Sequence, residues 1–216
     1  MNKNSSSLID ATSPDGRVAR LAAGQLGVFS RRQALARGFA PHTVGYRLRS
    51  RRWEQVRAGV YRISGTPDSW KQAVMAACLW AGDGAVASHV TAARLWELEG
   101  LPGKPRAETI HLSVPPPRHP SEPDVSVHRP RKLETKDCAI RDGIPVTDLS
   151  RTLIDLAAEP EAVKLELLLA SALGKHRQFD LAGLKKTLRR LNPRGREGVS
   201  ALKELMSTRG GAPKDR

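Results

Sequence analysis

Three sets of residues in this chain have types and spacings that could support chemistry. Pro123-Asp124 and Glu134-Thr135-Lys136 together spell the PD…ExK pattern of metal-dependent nucleases. In such enzymes two carboxylates hold Mg²⁺ and a lysine stabilises charge at the phosphate. The second set comprises the six histidines, among them Ser88-His89 as an adjacent hydroxyl and imidazole. The third is arginine: eleven lie between Arg17 and Ile63 (Arg17, Arg20, Arg31, Arg32, Arg37, Arg47, Arg49, Arg51, Arg52, Arg57 and Arg62), opposed by the single acid Glu54 and accompanied by no lysine.

The first two sets lack the context their chemistry needs. Asp124 begins an alternating run, but Glu134 lies in the polar stretch RPRKLETKD, which has no strand alternation to hold a second carboxylate beside the first. So loose a pattern arises readily in a chain with 27% charged residues, and a motif without structural context is only a pattern. Asp124 and Glu134 are therefore expected at the surface. His111 and His128 fall on the faces opposite Ile110, Leu112, Val125 and Val127, which predicts solvent-facing strand residues; His119 falls in a loop. His89 follows a capping serine, which predicts a hydrogen bond at a helix start. Successive helical residues also point in different directions, so Ser88-His89 is not expected to act as nucleophile and base. No histidine has zinc spacing with a cysteine or carboxylate, and neither a Walker loop nor GxGxxG occurs. The expectation is a non-enzyme with no catalytic residue, metal or cofactor.

The arginine set does have context. A surface kept soluble by charge normally mixes signs and uses lysine freely, whereas arginine is favoured where planar, multi-donor contact with phosphate or guanine is needed. Val18, Leu21, Ala22 and Leu26 predict a first helix stopped by Gly27. Ser30 and Gln33 form a capping-box pattern for a second helix over Arg31 to Arg37, with Gly38 as its left-handed stop. Pro41 suits the first position of a third helix, in which Val44 and Leu48 face inward. His42, Thr43, Tyr46, Arg47 and Arg51 are then expected outward, as on the second helix of a helix-turn-helix. Ala58-Gly59 between RWEQVR and VYRI predicts a hairpin wing carrying Arg57 and Arg62.

These readings give a mixed α/β, mainly helical chain. They comprise a disordered tail at 1–15, a winged helix-turn-helix at 16–64, a small α/β domain at 67–158, a helical segment at 159–207 and a frayed end at 208–216. In the second domain, Trp70 to Trp80 reads as a helix ended by Gly82. Ala85 to Ala87 reads as a short buried strand, and the two alternating runs flank the loop PPPRHPSEP. Asp148 opens a helix in which Arg151 and Asp155 share one face, either as a surface ion pair or as a partner contact. Pro160 restarts a helix that Gly174 stops, and leucine stripes follow at 181–191 and 199–206.

The stretches GVFSRRQALARGF and YRLRSRRWEQVRAGVYRI resemble the winged helix-turn-helix of the AbiEi-type antitoxin family of type IV toxin–antitoxin systems. AVASHVTAARLWEL at 85–98, TIHLSVPP at 109–116 and DGIPVTDLSRTLIDLA at 142–157 resemble that family's second domain. The resemblance covers about residues 17–158. It implies binding of the chain's own promoter and neutralisation of a nucleotidyltransferase-like toxin. Longer relatives often carry a nuclease-like domain resembling very-short-patch repair enzymes, and the basic, helical sequence toward Arg216 lacks the strands and carboxylates of such a domain.

Lys and Arg number 36 against 22 Asp and Glu, a formal charge of +14 that favours a polyanionic partner. No apolar run approaches the roughly 20 residues of a membrane span, and Cys78 and Cys138 lie far apart, which fits reduced cytoplasmic thiols. The residues expected to meet double-stranded DNA are Arg31, Arg32, His42, Thr43, Tyr46, Arg47, Arg51 and Arg57. The alternative is a nuclease, or a nuclease-associated protein, that uses the N-terminal domain for targeting.

Overall fold

Ser13 and Pro14 open the first ordered element. The Ser13 hydroxyl accepts from the Gly16 amide at 3.1 Å, and proline occupies a position whose N–H would be unsatisfied in any helix. The computed structural model describes residues 12–101, 109–117, 120–158, 164–191 and 197–210, so most of the expected tail, and His119, lie outside the described residues. It divides into two compact units, Met1–Asp83 and Gly84–Arg216. Both mix helix and strand, as expected.

The first unit runs α1 (Pro14–Ala23), β1 (Val28–Ser30), α2 (Arg31–Ala36), α3 (Pro41–Arg49), β2 (Trp53–Arg57), β3 (Val60–Ile63) and α4 (Trp70–Ala81). Its sheet is antiparallel in the order β1-β3-β2, the winged helix-turn-helix arrangement. The capping box forms as the sequence predicts: the Gln33 amide donates to Ser30 Oγ at 3.2 Å, and the Ser30 amide donates to Gln33 Oε1 at 2.8 Å. Gly38 and Gly59 take the left-handed conformation their turns require, at φ 94° and 69°. Trp53 anchors the core, with its ring centroid 4.7 Å from Phe29 and 4.8 Å from Phe39. Val18, Ala22, Val44 and Tyr61 close around these rings.

Two boundaries differ from expectation. The first helix ends at Ala23 with Gly24 as its cap, before Leu26 and Gly27. Helix α4 belongs to the first unit rather than to a second domain starting at 67. The buried Gln72 explains this: its amide nitrogen donates to Leu26 O at 2.7 Å and Pro67 O at 3.2 Å, and its oxygen accepts from Arg62 at 3.1 Å. Arg62 also pairs with Glu54 at 2.6 Å and Asp68 at 2.8 Å, so this wing arginine holds the unit together.

The second unit holds β4 (Val86–Ala87), α5 (His89–Leu95), β5 (Ile110–Ser113), β6 (Val125–His128), β7 (Cys138–Arg141) and β8 (Ile144–Thr147), followed by α6 (Leu149–Ala157), α7 (Leu165–Lys175), α8 (Leu181–Leu191) and α9 (Glu197–Gly210). Its sheet has the order β6-β5-β4-β8-β7; β4–β8 and β5–β6 are parallel and the other two pairs antiparallel. Leu153 and Leu156 of α6 share one core with Leu168, Leu184, Leu202 and Met206 of the last three helices. The expected division at 158/159 is therefore not a division of the core. Gly174 lies inside α7 instead of ending it, and Pro160 lies outside the described residues. Of the end expected to fray at 208–216, residues 208–210 lie in α9 and the rest lies outside the described residues. Among the described residues no helix is long and apolar enough to cross a membrane.

Candidate nucleic-acid interface

Helix α3 advances about 100° per residue, so the positions opposite buried Val44 can be assigned. Val44 is buried and Leu48, one turn on, packs partly against the same core. His42, Tyr46 and Arg49 lie across the axis from them and are exposed, Tyr46 to 54%, whereas Gly45 lies on a flank and is half-buried. Thr43, at the flank, is half-buried. Gly45 is an unfavourable interior helix residue, costing about 0.5–1 kcal/mol relative to alanine. Here it borders the exposed face, with Arg49 Nη1 lying 3.3 Å from where its Cβ would stand.

Two expected recognition residues are placed differently. Arg47 turns inward: its side chain is 13% exposed, its guanidinium meets Asp15 of α1 at 2.5 Å, and it lies 5.8 Å over the Phe39 ring. The reason is angular, because position 47 follows Val44 by three and so lies about 60° from it, on the flank that α1 covers. Arg51 stays exposed but is not on the helix; it occupies the following turn with φ 54°, its amide donating to Leu48 O at 3.0 Å. Arg49 and Arg52 were missed by the sequence reading. The spacing His42, Tyr46, Arg49 (i, i+4, i+7) already marks one face, and it would have selected Arg49 over Arg47.

Around α3 the charge is unevenly neutralised. At the start of α2, Arg32 forms a bidentate pair with Asp83, both side chains largely exposed. Arg31 is exposed, and its backbone N–H donates to Gly59 O at 2.7 Å, which ties the start of α2 to the hairpin turn. Arg57 is half-buried 6.0 Å from the Trp80 ring, so it lies on α4 rather than projecting from the wing. Arg17 donates to Arg37 O at 2.9 and 3.1 Å and closes the end of α2. Among the described residues Arg31, Arg49, Arg51 and Arg52 have no ion-pair partner. These four are the exposed positive charges that a phosphate backbone would meet.

In the second unit the nuclease-like letters serve local structure. Glu134 caps the single helical turn Thr135–Asp137, with its carboxylate 2.7 Å from Lys136 and 3.6 Å from Arg190. The Lys136 hydrogen bond holds that carboxyl below its ordinary range. Asp124 is exposed just before β6.

The histidines and the Arg151–Asp155 pair depart from expectation. His111 and His128 are not solvent-facing: their side chains meet at 3.0 Å (Nδ1 to Nε2), and His128 stacks on buried His89 with centroids 3.5 Å apart. His89 carries a φ of 51°, and its Nδ1 lies 3.0 Å from Ser88 Oγ, so the adjacent pair does share a hydrogen bond. Burial, with the His111 ring as a second cause, pushes the His128 imidazole down to about 4. Parallel β5 and β6 put His128 in register with Ser113, a pairing that alternation within one strand does not reveal. Among the described residues no group of three His, Cys, Asp or Glu side chains is arranged to hold a metal.

Arg151 and Asp155 are both 5% exposed and bonded at 2.9 and 3.0 Å, so neither is a surface ion pair or an exposed partner contact. Arg151 Nη1 also donates to Lys132 O at 2.8 Å and lies 3.7 Å from fully buried Asp137. Asp137 accepts from the Glu134 amide at 2.9 Å and from Arg190 of α8. Burial acts to raise the Asp137 carboxyl, but the Arg190 and Glu134 hydrogen bonds outweigh it and hold the group below its ordinary value.

No family model matches this sequence, and no curated protein matches it. Among solved structures, the chain is similar to the crystal structure of the RV2827C protein from Mycobacterium tuberculosis, at 17% identity. The match covers 91% of this chain and 78% of that one with a TM-score of 0.54, a likeness of fold.

Proposed function

We propose that this chain is a non-enzymatic transcriptional regulator that binds double-stranded DNA at its own promoter through the winged helix, with α3 in the major groove. The observation that carries this reading is the outward face His42–Tyr46–Arg49, bordered by Arg31, Arg51 and Arg52, which among the described residues have no ion-pair partners. Arg49 has the reach and fork geometry to read a guanine edge, and Tyr46 and His42 flank it. Arg31, Arg51 and Arg52 would hold phosphates and set the register.

Electrostatics gives the test. Four phosphates neutralised per copy imply a slope of log K against log[salt] of about −3.6, roughly a 10²-fold loss between about 50 and 200 mM salt. Fluorescence anisotropy on the labelled upstream promoter, titrated at several salt concentrations, measures this slope. A flat response would remove the reading.

The resemblance to AbiEi-type antitoxins supports a second role for the same chain, neutralisation of a nucleotidyltransferase-like toxin by its second unit. Co-expression with the protein encoded beside it, scored as growth rescue, tests this role. Growth arrest that the chain does not relieve would remove it.

A further inference from the structure

The second unit contains a cavity of about 460 Å³ that no part of the DNA-binding reading uses. It lies between the β7 edge strand, the start of α6 and the turn joining α7 to α8. Its walls include Trp96, Ala139, Arg141, Asp148, Arg177 and Phe179. The volume falls within the roughly 300–1,000 Å³ of small-molecule sites. The walls are fixed in advance: the Trp96 indole N–H donates to Thr147 O at 2.9 Å, and the His176 ring donates through Nε2 to Trp96 O at 2.9 Å. His176 stands edge-on to Trp96, with centroids 5.6 Å apart.

The charge on these walls is unbalanced. The Arg141 guanidinium lies 5.6 Å over the Trp96 ring, and its Nε is out of solvent with no hydrogen-bond acceptor. Among the described residues Arg141 has no ion-pair partner, and a guanidinium bonds an anion more strongly than it bonds a neutral acceptor. Arg177 is exposed on the opposite turn and, among the described residues, has no ion-pair partner. Lys175, by contrast, is taken by Glu99 at 2.8 Å. Asp148 is the one acid in the wall; one of its oxygens accepts from the Arg151 amide at 2.6 Å, and burial raises the carboxyl above its ordinary value.

We infer that this cavity binds a small anion bearing a planar ring, of the nucleoside monophosphate class. Arg141 and Arg177 take the phosphate, and the Trp96–Phe179 wall takes the ring. A DNA-binding unit joined to such a site has the composition of an effector-responsive regulator, although the binding itself does not depend on the DNA-binding reading.

Isothermal titration of the full chain, without DNA, with the four ribonucleoside 5′-monophosphates tests the inference. Ribose 5-phosphate serves as the ring-less probe. The expected result is one-to-one binding of at least one nucleotide with a Kd of about 10–100 µM. Arg141→Gln and Arg177→Gln should each weaken it about tenfold or more, as loss of a charge-assisted bond predicts. Ribose 5-phosphate should bind at least about tenfold more weakly, as loss of ring stacking predicts. Arg177 is exposed, so its variant folds even if the Arg141 variant does not. The winged helix offers competing phosphate sites, and dependence on Arg177 separates the cavity from them. No saturable binding up to about 5 mM in folded protein would overturn the inference. Binding unchanged in the Arg177 variant would overturn it too, and equal binding of ribose 5-phosphate would overturn the ring assignment. None of these outcomes bears on promoter binding, which fails or stands on its own salt titration.

Discussion

Arginine plays opposite parts in the two units. In the winged helix Arg31, Arg49, Arg51 and Arg52 stand in solvent without ion-pair partners among the described residues. In the second unit Arg151 and Arg190 close on Asp137 and Asp155, three of the four side chains being nearly out of solvent. The difference follows from the local supply of acid. Only Glu54 lies between Arg17 and Ile63, so most of that positive charge cannot be cancelled within its own stretch. Asp137, Asp148 and Asp155 crowd around Arg151, and burial makes each partner indispensable to the other. One set of arginines is available to a polyanion, while the other is spent on cohesion.

The largest effect should come from breaking the buried set. Asp137→Ala leaves Arg151 short of one partner and Arg190 without its bidentate one, at a cost of about 3–5 kcal/mol. Urea unfolding should show it, and a loss below about 1 kcal/mol would mean the network is not coupled in the way its geometry requires.

Arg49 and Arg47, two residues apart, sharpen the comparison within one helix. Arg49→Ala should weaken promoter binding by about 1–3 kcal/mol while leaving stability within about 0.5 kcal/mol. Arg47→Ala should instead lower stability by about 1–2 kcal/mol, through loss of the Asp15 bond and the packing on Phe39. Reversed outcomes in paired anisotropy and thermal melts would reassign the recognition face.

Acid provides a third probe. His128 titrates near 4 in the folded chain, below its ordinary 6.5, so the unfolded chain binds the extra proton first as pH falls. Stability associated with this group is therefore complete above about pH 6.5 and declines toward pH 4. With allowance for solvent at this partly exposed ring, the decline is about 1–2 kcal/mol. His128→Gln should flatten that part of the stability–pH curve, and an unchanged slope would show that the stacked histidines are not its source.

The smallest effect should separate folding from function most cleanly. Gly45→Ala should stabilise α3 by about 0.5–1 kcal/mol, because the position is helical and the nearest atom is the flexible end of Arg49. The same methyl group should weaken promoter binding by displacing the Arg49 guanidinium beside it. Stabilisation without loss of binding would leave Gly45 with no part in the interface.

Local sequence determined the elements of the first unit, because their signals act over three or four residues. The Ser30–Gln33 box, Gly38, Pro41 and Gly59 each fix a cap or turn by hydrogen bonding or backbone conformation that no distant residue needs to supply. The mixed fold class and the arginine excess follow from composition and periodicity in the same way. Helical spacing could sort Arg49 from Arg47, but tertiary structure decided which charges would find partners. Arg47 is inward because α1 brings Asp15 to it from 32 residues away. Helix α4 joins the first unit because Gln72 meets the carbonyl of Leu26, 46 residues earlier. Arg151 and Asp155 are buried because Arg190 and Asp137 arrive from separate elements, and the three histidines meet only because β5 and β6 pair in parallel beside α5. Such contacts depend on long-range packing, and a one-dimensional pattern of apolar and charged residues carries no record of which side chain arrives from afar.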